Sequence, residues 1–301
     1  MPRRATIVFA IAVVAIVAAV VVAYVVVFEG EPAPVVVAPA TARLVQADGV
    51  VELKVGGGDW QPVPVGTLVE QASVVRTAAG ANAELAVGEG VKLQVLPDTD
   101  VRIESLDGAS ATLLVESGIV VADVDGARQG SVKVRAAGSD AVAQIRDGRL
   151  HFATDGRGEV QAAVTRGEGT LSAAGSTVTL TPGSQSVVHP GGQPSAPAPL
   201  PRSFLLKVKW PPEALTAKRR QMVRGNTTPG ARVRIGGVVV TADADGHFGA
   251  VVELVEGPQK IKVYAVDLLG RQATDSSPAI ELDTRAPGHA VETDATMWQR
   301  H

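Results

Sequence analysis

Between Arg43 and His189 the chain switches between apolar and polar at every residue, in one short segment after another: VVELKV (50–55), VKLQV (91–95), VRI (101–103), VKV (132–134) and TVTLT (177–181). A period of two places alternate side chains on opposite sides of an extended backbone, so each segment predicts a strand with one buried face. The separators are Gly56-Gly57-Gly58, Gly88-Glu89-Gly90, Asp107-Gly108, Asp147-Gly148 and Asp155-Gly156. Asp-Gly supplies the positive φ angles that tight hairpins need, and all are expected to be turns. No ten-residue stretch here holds a helical apolar stripe, so residues 43–189 are expected to be all-β. The 32 Gly and 19 Pro agree with frequent turns. The chain has no Cys, which excludes disulfides, thiolate metal sites and cysteine nucleophiles and leaves apolar burial to hold the fold.

One segment obeys a different rule. Ile7 to Phe28 is 22 residues long, interrupted only by Tyr24. As a helix it would extend roughly 33 Å, enough for a hydrocarbon layer of about 30 Å. Arg3 and Arg4 precede it, and Glu29 and Glu31 follow. The positive-inside rule therefore sets the N-terminus in the cytoplasm and the remainder outside, giving a single-pass membrane protein with its bulk extracytoplasmic. A cleavable signal peptide is the rival reading. Its apolar region would be shorter, with a small-x-small site close behind, whereas Ala38-Pro39-Ala40 lies well past Phe28.

Residues 29–42, with Pro32, Pro34 and Pro39, read as a stalk. Residues 190–202 contain five Pro and read as a stiff linker. From 203 to 284 the alternation resumes in ARVRIGGVVV and KIKVYAV, with Asp245-Gly246 as a hairpin signal, and the spacing fits a small β-sandwich. The pattern stops at Arg285, so 285–301 is expected to be a disordered tail.

Catalytic signatures are not found. The five His form no H-x-x-x-H or H-E-x-x-H pair, and no G-x-S-x-G elbow, P-loop or dinucleotide fingerprint is present. DADGH (243–247) begins like a calcium loop, but its twelfth position is Leu254 rather than Glu, so a plain hairpin turn is expected. The expectation is a non-enzyme without cofactor, metal or catalytic residues. Trp60 and Trp210, each beside strand-like sequence, are expected in cores rather than on sugars.

Charge is distributed unevenly. Arg202 to Arg234 holds nine basic residues against Glu213 alone, whereas residues 43–189 hold eighteen acids and twelve bases. Lys218, Arg219, Arg220, Arg224, Arg232 and Arg234 are the candidate face for an anionic envelope polymer or partner. The bland alternative is that neighbouring strands pair or solvate these charges, or that the acidic region docks them within the chain. A location outside the cell excludes nucleic acid as a partner.

From Gly49 to Val95 the sequence GVVELKVGGGDWQPVPVGTLVEQASVVRTAAGANAELAVGEGVKLQV resembles the FecR domain family, with Gly49, Trp60, Gly66, Thr77, Leu85, Gly88 and Gly90 at the family's positions. LLVESGIVVADV (113–124) resembles its strand-Gly-strand step at Gly118, and VTLTPGSQSVV (178–188) its closing strand with Gly183 at the turn. Residues 135–164 depart from the pattern. The resemblance implies an extracytoplasmic β-domain, part solenoid-like, that engages envelope proteins. The family's best-known members relay a receptor signal to a cytoplasmic sigma factor. Six residues ahead of Ile7 hold no such effector domain, so inward signalling is expected to need a membrane partner. Residues 223–271 resemble a bacterial Ig-like module: Gly225, Thr227 or Thr228, Pro229, Gly230, Val233 and Ile235 carry its motif, followed by Asp245-Gly246, Phe248 and Asp267. A binding or scaffold protein that engages an envelope protein or a cell-wall polymer is the first expectation. A signalling component related to the anti-sigma regulators and a glycan-binding module are the alternatives.

Overall fold

The computed structural model describes residues 41–211 and 215–284. The apolar 7–28 segment, nearly all of the 29–42 stalk and the 285–301 tail lie outside the described residues. Among those described, no helix is long and apolar enough to cross a membrane. The protein is mainly β, and its one helical element there is the 3-10 turn Gly126–Arg128.

Fifteen strands between Ala42 and Pro199 form one continuous sheet that folds over a single core. Pairing is antiparallel except where Ser131–Ala136 runs parallel to the first half of Ser110–Val124. The alternation does what the sequence predicts. In Val91–Val95, Val91, Leu93 and Val95 are buried. Across from them Ala83, Leu85 and Val87 are buried in register from Asn82–Val87. Each fully buried aliphatic side chain contributes about 1.5–3 kcal/mol.

Two segments differ from expectation. Asp147-Gly148 is not a turn. It lies within the 13-residue strand Val142–Thr154, between two register irregularities, with Gly148 facing Gly167 across the pair. Two glycines opposite one another let the backbones close in: a Cβ on Gly148 would collide with the Arg166 carbonyl. Trp60 is not in the core either. It is half-buried on the outside, with the Arg76 guanidinium carbon 3.8 Å from its ring centroid and Lys54 Nζ at 5.9 Å. A cation over an indole face is worth about 0.5–1 kcal/mol at such a site, and Asp100 holds the other side of Arg76 through two hydrogen bonds of 2.7 Å.

The 15-residue strand Ser110–Val124 changes partners and phase midway. Up to Val115 its odd positions are buried in the core; after Gly118 both faces are buried. Val120, Ala122 and Val124 then point into the core, and Ile119 and Val121 point the other way. The irregularity opposite Asp100/Val101 makes this change possible. At Gly118 φ is +116°, and a Cβ there would stand 2.5 Å from Thr99 Cα and Cβ.

Thr99 belongs to a small buried network. Ile119 N donates to Thr99 Oγ1 at 3.0 Å, Thr99 N donates to Thr77 Oγ1 at 3.1 Å, and Thr77 Oγ1 donates to the Leu96 carbonyl at 2.6 Å. These bonds pin the 96–99 turn, in which Asp98 has φ +57°.

The described residues after Pro199 form three small sheets around a second core. One contains Lys207–Lys209, Arg220–Asn226 and His247–Glu253. A second contains Val238–Thr241, Arg232–Ile235, Lys262–Val266 and Gln272–Ser276. A third contains Leu215–Thr216, Ile280–Leu282 and Gly257–Gln259. Val223, Val233, Phe248, Val263 and Ile280 meet between them, and Trp210 packs against this core half-buried.

Candidate functional site

The large sheet and the C-terminal sheets belong to one compact unit and share an apolar seam. Ile119, Val121, Ala153, Ala163 and Leu96 meet Val266 and Leu268 there, with Tyr264 and Leu200 against them. Polar contacts frame this strip. Arg234 Nε donates to Asp98 Oδ2 at 3.0 Å, and its Nη2 reaches Asp98 Oδ1. Arg232 donates to the carbonyls of Asp98 at 2.9 Å and Thr154 at 3.3 Å. Arg271 is held by Asp267 at 2.6 Å and donates to the Pro201 and Arg202 carbonyls. Among the described residues, two buried atoms along the seam, Arg232 Nε and Tyr264 Oη, have no hydrogen-bond partner. Burial pushes the Tyr264 hydroxyl up to about 12, with Asp98 adding to it, and burial lowers Arg232 against the pull of Asp98 and Asp100.

His151 sits on this seam, paired in register with Val121 and Ala163, and bonds Thr165 Oγ1 at 3.2 Å through Nε2. Burial, aided by Arg149 and opposed by the Leu268 backbone and Asp123, lowers its pKa to about 4. The unfolded chain takes up a proton near pH 6.5 that the folded protein refuses until about pH 4, so stability present above pH 6.5 declines as pH falls through that window. The loss is at most about 3 kcal/mol. Thermal melts from pH 7 to pH 4 are expected to show this decline in the native protein and a shallower one in His151→Leu. Equal slopes would remove His151 from the account.

Beside the seam is an open cleft of about 660 Å³. One wall is the loop carrying Asp155, Arg157 and Glu159; the other is the Val238–Thr241 strand. That strand is the edge of its sheet. Ala242 N bonds Ala231 O within the hairpin, so by alternation Val240 and Val238 face their partner strand, while the backbone groups of Val239 and Thr241 face the cleft. Glu159 is half-buried here. Burial raises its pKa, Asp155 and Asp243 add to that, and His189 opposes it.

The six basic residues singled out by sequence do not form one face. Arg232 and Arg234 are engaged on the seam by the large sheet. Lys218 and Arg219 are exposed ahead of the Arg220–Asn226 strand, and Arg219 reaches Glu256 at 4.0 Å. Arg220 and Arg224 project from that strand to solvent. The Lys209 partner of Arg224 was missed, because only strand register brings the two together. Asp243, Asp245 and His247 gather their ligand-type atoms within 4.8 Å, all exposed. Asp243 Oδ1 accepts from the backbone N of His247 at 2.7 Å and of Asp245 at 3.1 Å, which holds the hairpin turn and lowers the Asp243 pKa.

No family model matches the chain, and no curated protein matches it significantly. Two crystal structures of a Parabacteroides distasonis protein assigned provisionally as an anti-sigma factor are similar to it at 13% and 14% identity. Each has a TM-score of 0.36 and covers 42% of this chain. The chain spans 59% of the length of each of those structures. A polysaccharide lyase is similar at 10% identity and a TM-score of 0.19, over 81% of this chain and 40% of that one. Likeness at these scores assigns neither a fold family nor an activity.

Proposed function

We propose that this protein is a non-catalytic binding scaffold of the bacterial envelope, anchored in the inner membrane by residues 7–28 with its bulk in the periplasm. In this reading residues 43–189 are a FecR-like module, part solenoid-like, and residues 203–284 an Ig-like β-sandwich. The observation that carries it is the edge strand Val238–Thr241, which among the described residues is paired on one side only and lines the cleft opposite the Asp155–Glu159 loop. Edge strands are normally blunted by charge, proline or a bulge, and Val-Val-Val-Thr has none of these. Such an edge recognises extended polypeptide through main-chain bonds, with the flanking charges selecting side chains. The partner on this reading is an envelope protein that adds a strand.

Crosslinking in intact membranes followed by recovery of the full chain tests it. Val239→Pro removes an outward N–H and leaves the hairpin bonds intact, so the chain is expected to stay folded and its crosslinked partner to disappear. Retention of the same partner by the Pro variant sinks the strand-addition reading. A sigma-regulating membrane protein among the partners would favour the signalling alternative, which rests on the Gly49–Val95 resemblance. Co-sedimentation with peptidoglycan would favour a cell-wall ligand instead.

A further inference from the structure

We infer that the outer face of the Lys207–Lys209, Arg220–Asn226, His247–Glu253 sheet docks on the anionic headgroups of a phospholipid bilayer. The inner side of this sheet is spoken for: Val208, Val223, Phe248, Ala250 and Val252 pack into the C-terminal core. The outer side carries Lys207, Lys209, Arg220, Arg224 and Met222, all exposed. Register sets Lys209 beside Arg224 and, on the far side of Arg224, Gly249 rather than an acid. Like charges directly across a strand pair destabilise a sheet. Among the described residues none of these four cations has an ion-pair partner. Glu253, in register with Arg220, is the acid at one end of the face.

A soluble polyanion would account for the cations alone. It would not account for the apolar groups among them. Met222 is 47% exposed in the middle of the strand, and Lys209, Trp210, Pro211 and Arg224 border the same shallow depression. Leu205 is 55% exposed just ahead of Lys207. Lysine and arginine at headgroup depth, with methionine, leucine and an amphipathic indole beside them, are the composition of a bilayer interface. Each cation near an anionic surface favours binding by roughly five-fold at physiological salt, and the effect is lost over a Debye length. The inference rests on the proposed placement beside a membrane, which would hold this face near its target.

The chain has no cysteine, so a single one reports cleanly. Full-length Met222→Cys carries a nitroxide and is reconstituted into nanodiscs of phosphatidylcholine, with or without phosphatidylglycerol. Thr274→Cys, exposed on a different sheet, is the control. Accessibility of the Met222→Cys label to a water-soluble nickel chelate is expected to fall several-fold with phosphatidylglycerol, to recover in molar salt, and to stay high when Lys209→Glu and Arg224→Glu are added. The control label is expected not to respond. Equal accessibility in both lipids overturns the inference and leaves the anchor reading standing. Protection by soluble polyphosphate in phosphatidylcholine discs, equal to that by phosphatidylglycerol, overturns it in favour of an anionic polymer. A chain that does not insert refutes the anchor instead; the same label is then read with added phosphatidylglycerol vesicles, and no protection there refutes the inference.

Discussion

Gly118→Ala is expected to destabilise the protein by about 3–5 kcal/mol, a large part of the 5–15 kcal/mol typical of a folded domain. Two costs add. An L residue at φ +116° carries roughly 1–3 kcal/mol of backbone strain. The new methyl also runs into Thr99 Cα and Cβ at 2.5 Å, and a backbone atom cannot rotate away, so overpacking adds about 1–3 kcal/mol. Gly80→Ala separates the two terms, because Gly80 has φ +70° with nothing within 4 Å of the added Cβ. It is expected to cost only about 1 kcal/mol, from strain alone. At 2–4 °C per kcal/mol for a protein of this size, Gly118→Ala should melt roughly 5–15 °C below Gly80→Ala by circular dichroism. Melting points within about 2 °C of each other would mean that the strand tolerates the methyl and that the step at Gly118 is not tightly packed.

At that step the period of two also stops reporting which face is buried. The period of two locates Val91–Val95 and Asn82–Val87 because one face of each is buried and the other is not. It fails after Gly118, where Ile119 and Val121 are buried by the C-terminal sheets while Val120 and Ala122 are buried by the core. A strand buried on both faces reads as an undifferentiated apolar run. Asp147-Gly148 misled for the converse reason: a local turn signal was overridden by pairing with Gly167, about twenty residues away. The family-like positions were informative without their purpose being visible. Thr77 is buried because its hydroxyl ties the 96–99 turn, and only the fold shows that this turn offers Asp98 to Arg234.

The basic stretch shows the same limit. Residues 202–234 are contiguous in sequence, but the Pro229-Gly230 turn carries the chain from one sheet to another. Arg220 and Arg224 stay on an outer face, while Arg232 and Arg234 turn towards the large sheet. A linear cluster of charge therefore overstated one surface and concealed another, because the neighbours that matter are cross-strand.

Breaking the Asp98–Arg234 pair is the second large effect expected, and it tests whether charge or apolar contact sets the seam. The Asp98 side chain is 11% exposed and that of Arg234 27%, so the pair lies between a buried ion pair, whose disruption costs 3–5 kcal/mol, and a surface pair worth 0–1 kcal/mol. Asp98→Asn keeps a residue that tolerates the left-handed backbone and removes only the charge; Arg234→Met keeps the aliphatic stem. Each is expected to cost about 2–3 kcal/mol, and the double variant clearly less than the sum, with a coupling of about 1–2 kcal/mol from denaturant titration. The coupling should survive molar salt, because a pair this sheltered is poorly screened. Arg232 sets the background: it holds the Asp98 carbonyl whichever side chain stands there, so the turn stays docked in the single variants. Additive losses below about 0.5 kcal/mol each would assign the seam to Ile119, Val121, Val266 and Leu268 alone. The acidic turn would then contribute orientation rather than stability.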